Sequence, residues 1–103
     1  MKDYLPEVLQ VIPDNNYRVY LYFDDGSIKL YDASNLVTQG LFTPLQNINT
    51  FKNCCTVLNG TLAWDLEGNY DEEKCLDVDP FVLYHNCAEV DEPKHLFASG
   101  TIF

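Results

Sequence analysis

Apolar and polar or charged positions alternate along residues 17–32, on both sides of the dipeptide Asp25-Gly26. An Asp-Gly pair between two such runs is typical of a tight β-hairpin, because both central residues of the turn need a positive φ. A two-residue turn at Asp25-Gly26 fixes which side chains share a face. The pairs predicted to face the core are Phe23 with Ile28 and Leu21 with Leu30.

The opposite face of this predicted hairpin is too aromatic for an ordinary water-exposed surface. Tyr and Arg are enriched at the centres of protein interfaces, so this face is a candidate contact surface for a partner. The alternative is that a helix, the second hairpin or the C-terminal tail of the same chain covers it. The candidate surface consists of Arg18, Tyr20, Tyr22, Lys29 and Tyr31.

Turn-forming and helix-capping residues predict the elements around this hairpin. Residues 7–12 are predicted to form a strand that ends at Pro13, which completes a three-strand antiparallel meander with the hairpin. Asp32 and Gly40 are suited to begin and end a short helix over residues 33–39. Pro44 suits the first position of another helical turn.

A second hairpin is centred on Asn59-Gly60, the strongest hairpin signal in the chain. Its two-residue turn predicts the pairs Val57 with Leu62 and Cys55 with Trp64. Further along, Asp79-Pro80 is typical of a helix start. Residues 86–103 show no clear period.

Together these elements predict an α+β fold with a small antiparallel sheet. The sheet is built from the three-strand meander and the second hairpin, with one or two short helices between them. A length of 103 residues suits one small domain. We assign residues 1–88 to this domain and residues 89–103 to a C-terminal tail that is either mobile or packed on the sheet.

The charge of the chain narrows the classes of partner. Six Lys and Arg stand against sixteen Asp and Glu, a net charge of −10. Such a charge repels phosphates, so direct nucleic-acid binding is not expected, and the charge suits either a basic protein partner or simple solubility. No segment approaches the ~18–20 apolar residues of a membrane span, and no signal peptide is evident, which predicts a cytoplasmic protein away from membranes.

Candidate chemistry is weak throughout the sequence. The four cysteines contain no C-x-x-C pair, which predicts free thiols in a reducing compartment rather than disulfides or zinc. The carboxylates of residues 71–79 suit a cation, but their order differs from that of an EF-hand loop and a solvated loop is favoured. His85 and Cys87 lack the orienting group and pocket of a nucleophilic pair. We assign no catalytic, cofactor-binding or metal-binding residue and expect no enzyme activity.

The order and spacing of these motifs resemble the bacterial domain-of-unknown-function family 2442 from about residue 4 to residue 85. The resemblance is carried by Pro6, Val8, Val11, Tyr17, Phe23-Asp24-Asp25-Gly26, Tyr31-Asp32, Gly40, Phe42, Leu45, Phe51, Asn59-Gly60, Trp64-Asp65, Gly68-Asn69-Tyr70-Asp71, Cys75-Leu76-Asp77-Val78-Asp79-Pro80 and Leu83-Tyr84. It implies a small α+β domain with an antiparallel sheet and no established catalytic residues. Some relatives carry an added helix-turn-helix domain, which this chain does not show. Others are encoded beside a second small protein in a toxin–antitoxin-like arrangement.

The sequence and the resemblance together favour a non-enzymatic protein-interaction module. In this hypothesis the chain is the acidic member of a toxin–antitoxin-like pair and binds a protein that is basic or encoded nearby, or a second copy of itself. The alternative is a small ligand-binding or metal-binding domain, or an enzyme, that uses the acidic segment from Trp64 to Tyr84. In that segment Asp65, Asp71, Asp77 and Cys75 cluster in sequence.

Overall fold

Antiparallel sheets form the framework of the protein, in agreement with the predicted α+β class. The computed structural model describes residues 5–68 and 75–91. Side by side in the larger sheet lie β1 (Val8–Pro13), β2 (Arg18–Phe23), β3 (Ile28–Asp32) and β7 (Ala88–Glu89). The smaller sheet contains, in order, β4 (Cys55–Leu58), β5 (Thr61–Trp64) and β6 (Leu76–Asp77). The predicted meander is the β1-β2-β3 part of the larger sheet.

Short helical segments connect the strands. Two 3₁₀ turns, Leu36–Thr38 and Gly40–Gln46, follow β3 and lead into helix α1, Ile48–Cys54. Helix α2, Pro80–Asn86, precedes β7 and begins at the predicted Asp-Pro pair. The Asp79 carboxylate accepts a hydrogen bond from the Phe81 backbone N–H at 2.9 Å, which caps the helix start. Within the described ranges, the chain has no helix long and apolar enough to cross a membrane.

The segment between β3 and β4 differs in detail from its prediction. The helix expected over residues 33–39 is only the 3₁₀ turn Leu36–Thr38. The Asp32 carboxylate accepts a hydrogen bond from the Ser34 backbone N–H at 2.9 Å, so it forms a local turn rather than a helix cap. Helix α1 was not predicted. Its cap is Asn47, whose side-chain oxygen accepts from two backbone N–H groups of the first turn.

The second hairpin has the predicted register. Cys55 pairs with Trp64 and Val57 with Leu62. Asn59 and Gly60 have φ values of 55° and 73°, the positive values that a two-residue turn of this kind requires.

The core joins both sheets and the helices. Its two largest fully buried side chains are Trp64 of β5 and Phe51 of α1, whose ring centroids lie 5.4 Å apart. The indole N–H of Trp64 donates to the Phe51 carbonyl at 3.0 Å. The buried apolar cluster consists of Val8, Val19, Leu21, Phe23, Ala33, Val37, Leu45, Phe51, Leu62, Trp64 and Leu83.

The start of the predicted tail continues the larger sheet. Glu89 pairs with Lys29, and the Val90 backbone N–H donates to the Ile28 carbonyl at 2.8 Å. The remainder of the tail, residues 92–103, lies outside the described residues.

The loop between β1 and β2 places Tyr17 in a conformation that favours glycine. Tyr17 has a φ of 61°. Its hydroxyl donates to the Gln46 carbonyl, and its ring meets Phe51 edge-on at a centroid distance of 5.3 Å. These contacts fix the side chain at the rim of the core and offset the cost of the left-handed backbone.

The strained backbone of Tyr17 predicts an unusual order of stability. Tyr17→Ala and Tyr17→Gly both lose the side-chain contacts, but only glycine adopts a positive φ without steric cost. We expect Tyr17→Gly to be more stable than Tyr17→Ala by about 1 kcal/mol, with both below the wild type. Urea unfolding followed by circular dichroism measures the difference. If Tyr17→Ala is at least as stable as Tyr17→Gly, the positive φ of residue 17 is contradicted.

Candidate interaction surface

The first hairpin closes with a three-residue loop, not with the predicted two-residue turn. The Phe23 backbone N–H donates to the Ser27 carbonyl at 3.0 Å, which leaves residues 24–26 as the loop. Gly26 has a φ of 90°, as expected for the last residue of such a loop. The Asp25 carboxylate accepts hydrogen bonds from the Ser27 N–H and hydroxyl at 2.9 and 2.7 Å, which hold the loop in this form.

The extra loop residue shifts the register of β3 by one position. Tyr20 lies opposite Leu30 and Tyr22 opposite Ile28. Because strand side chains alternate between faces, this shift moves every β3 side chain to the face opposite the predicted one. The predicted core positions are therefore correct for Leu21 and Phe23, which are buried, and wrong for their β3 partners.

The same shift divides the predicted contact surface between the two faces of the sheet. Arg18, Tyr20 and Tyr22 remain together on the outer face, because they alternate with the buried residues of β2. Lys29 and Tyr31 lie on the core side, opposite buried β2 residues.

Lys29 and Tyr31 contribute to the attachment of helix α2 to the sheet. The Lys29 ammonium lies 4.6 Å from the ring centroid of Tyr84, a cation–π geometry. Tyr31 packs against the core cluster, and burial is the main cause that raises the pKa of its hydroxyl. The Tyr84 hydroxyl also donates to Asp25 at 2.6 Å and its ring meets Phe23 edge-on. These contacts join α2 to the core side of the hairpin.

Arg18 is held by the loop that precedes it. Its Nε donates to the Asp14 carboxylate at 3.0 Å, and the other oxygen of that carboxylate accepts from the Arg18 backbone N–H at 3.0 Å. This ion pair stabilises the loop between β1 and β2. Arg18 is therefore a less adaptable contact residue than the two tyrosines beside it.

The outer sheet face is the surface that the observed register creates around these tyrosines. It carries five half-buried side chains: Ile12, Tyr20, Tyr22, Ile28 and Leu30. Among the described residues, none of the five belongs to the core cluster or to the side chains packed against it. Sequence reasoning missed the three aliphatic members. A glycine at the third position of the loop is typical of the longer turn, although the same glycine also fits a two-residue Asp-Gly turn.

Carboxylates flank the outer sheet face at both ends. Asp24 and Asp25 lie at the hairpin tip, and Asp32 lies opposite Arg18 at the other end. Hydrogen bonds from Ser27 and then from Tyr84 lower the pKa of Asp25 to about 2. Hydrogen bonds from Ser34 likewise lower the pKa of Asp32. Both carboxylates are ionised at neutral pH, so the rim of this face is acidic.

Comparison with protein families assigns most of the chain to one family. The model of a family described as a protein of unknown function, DUF2442, matches residues 8–89. The chain belongs to this family. The match extends four residues beyond the end that the sequence motifs indicated and includes all the strands described above. Comparisons with curated proteins and with solved structures gave no match.

The acidic segment of this DUF2442 domain is only partly described. Asp71 lies outside the described residues. Asp65 is buried and accepts a hydrogen bond from the Gly68 backbone N–H at 2.9 Å, whereas Asp77 is exposed on β6. Within residues 5–68 and 75–91, no group of three or more His, Cys, Asp or Glu side chains is arranged to hold a metal ion.

Three of the four thiols of the DUF2442 domain are poor nucleophiles in their surroundings. All four cysteines lie in the described part of the chain, where none forms a disulfide. Burial raises the pKa of Cys55 to about 12 and also raises those of Cys54 and Cys87. These three groups remain protonated at neutral pH, a state that disfavours nucleophilic attack and metal binding.

Proposed function

We propose that this DUF2442 protein is a non-enzymatic interaction module that binds a protein partner through the outer sheet face. The observation that carries the proposal is the placement of two tyrosines and three branched aliphatic residues on one sheet face outside the core. Large aromatic side chains contribute most to interfaces because they bury much area with few rotatable bonds. Tyr20 is the proposed main anchor, and Tyr22, whose hydroxyl is buried, lies beside it on the same face.

The charge distribution favours a basic partner. Ionised Asp32 lies at one end of the face, ionised Asp25 lies at the hairpin tip, and the whole chain carries a net charge of −10. Opposite charges on a partner accelerate encounter, whereas a second copy of this chain would bring like charges together. The resemblance to relatives encoded beside another small protein supports a partner from a neighbouring gene. We therefore propose the acidic role in a two-protein, toxin–antitoxin-like pair.

Loss of the two tyrosines is expected to remove partner binding. The double variant Tyr20→Ser, Tyr22→Ser should bind at least about 30-fold more weakly, since the loss of even one hot-spot residue costs about 2 kcal/mol or more. The tagged wild type and the variant are used to purify partners from the native cell, and the product of the neighbouring gene is then titrated directly by calorimetry.

A matched variant separates binding from folding. Tyr20→Phe, Tyr22→Phe keeps both rings and should retain most of the affinity. Circular dichroism and thermal melting establish that all variants are folded, and gel filtration reports self-association. Folded serine variants that bind the partner as the wild type does would refute the proposal.

A further inference from the structure

A cavity lies at the edge of the larger sheet, between β3 and helix α2. Its volume is about 260 Å³, and its walls include Leu30 from the sheet and Val82 and Leu83 from the helix. The short strand β7 pairs with Lys29 and Leu30 of β3. The cavity lies where β3 extends beyond this pairing.

The cavity and the outer sheet face share one residue. Leu30 lies opposite Tyr20 on the outer face and also lines the cavity. Ala88, its partner on β7, lines the cavity as well. A polypeptide that covers Tyr20 therefore lies next to a residue that also lines the cavity.

The size and the lining of the cavity indicate the kind of group that it accepts. Sites for drug-sized ligands and cofactors typically enclose about 300–1,000 Å³, so this cavity suits a single large side chain better than a cofactor. Its lining is mainly apolar, and burial raises the pKa of the Cys87 thiol in its wall. Val82 is 46% exposed although it is apolar, which leaves an apolar edge for contact.

A carboxylate in the cavity lining adds a charge preference. Asp32 lies in the lining, and hydrogen bonds from Ser34 lower its pKa, so it carries a negative charge at neutral pH. A Lys or Arg next to the inserted side chain would meet this carboxylate. An acidic neighbour would be repelled by it and by the net charge of the chain.

We propose that this cavity anchors the protein partner by receiving one large apolar side chain that is flanked by Lys or Arg. The inference rests on the proposed function and adds the chemistry by which the partner is recognised. The partner segment crosses the outer sheet face, inserts a Leu, Met or Phe side chain beside Leu30, and places its positive charge near Asp32.

A random 12-residue peptide library displayed on phage, selected against the full chain, tests this chemistry. We expect enriched peptides to share one large apolar residue with a nearby Lys or Arg. A synthetic peptide of this kind should bind Val82→Trp at least tenfold more weakly, because the indole fills the cavity. Phe81→Trp, which changes a neighbouring exposed position outside the lining, should leave the affinity unchanged.

Two further measurements test the proposal even if Val82→Trp does not fold. Asp32→Asn retains an oxygen for the Ser34 hydrogen bond and should weaken the peptide about threefold, an effect that added salt removes. Replacing the apolar residue of the peptide by alanine should weaken binding to the wild type. The same replacement should cause little further loss of affinity for Val82→Trp, because the two changes remove the same contact.

The possible results separate the cavity from the outer face. Peptides that lose affinity with Tyr20→Ser, Tyr22→Ser but not with Val82→Trp would refute the cavity and leave the face intact. Peptides that lose affinity for Val82→Trp but not for Tyr20→Ser, Tyr22→Ser would support binding in the cavity and refute the outer sheet face as the contact surface. A selection that enriches no apolar and basic pattern would refute the anchor proposal.

Discussion

Replacing Trp64 by alanine is expected to lower the free energy of unfolding by about 3–5 kcal/mol. Trp64 is fully buried and contacts the rings of Phe51 and Phe42. Its indole N–H donates to the Phe51 carbonyl, one of the last four carbonyls of α1, which have no partner within the helix. The substitution therefore removes core volume and a helix-end hydrogen bond together. A small domain with about 5–15 kcal/mol of stability loses a large share of it.

The replacement Trp64→Phe separates these two contributions. Phenylalanine keeps an aromatic ring against Phe51 but cannot donate to its carbonyl, so the expected loss is smaller, about 1–3 kcal/mol. Far-UV circular dichroism in a urea titration measures both variants, because Trp64 is the only tryptophan and its fluorescence is lost. If Trp64→Ala unfolds at the same urea concentration as the wild type, Trp64 does not join α1 to the smaller sheet.

Local turn chemistry determined how well each hairpin could be predicted from the sequence. The Asn59-Gly60 turn admits one register, and the observed pairs have it. In the first hairpin, Asp-Asp-Gly-Ser is compatible with a turn of either two or three residues. The apolar pattern could not decide between them, because β3 carries large side chains on both faces.

Whether a helix could be predicted from the sequence depended on the strength of its capping signal. Asp79-Pro80 marks the start of α2 clearly, and the helix lies there. Helix α1 has only seven residues and an Asn cap, and its position depends on the packing of Phe51 against Trp64. Such tertiary contacts override weak local propensity and cannot be derived from a short window of sequence.

Some residues of the candidate site could be predicted from local sequence patterns, whereas others required knowledge of the fold. Tyr20 and Tyr22 could be selected from the sequence because β2 alternates regularly and its face does not depend on the turn. Ile28 and Leu30 required the correct register. The cavity required the packing of α2 against β3, elements about 50 residues apart in the chain. Long-range packing of this kind leaves no local pattern, so no spacing rule could have indicated the cavity.

The two leucines of the first hairpin provide a direct test of its register. Leu21 is fully buried, whereas Leu30 is half-buried on the outer sheet face. Leu21→Ala is expected to cost about 2–5 kcal/mol, the usual range for a core leucine. Leu30→Ala should cost about 1 kcal/mol or less, since only part of its side chain leaves water on folding. Urea unfolding of both variants measures the difference.

The two possible turns predict different results for this pair. A two-residue turn places Leu21 and Leu30 side by side in the core, so their replacements would cost similar amounts. The three-residue turn separates them, and Leu30→Ala then remains folded. In that variant the proposed interface and the cavity lose a side chain that both share. Leu30→Ala should therefore weaken binding of the selected peptides much more than it weakens the fold, the reverse of what a core leucine would do.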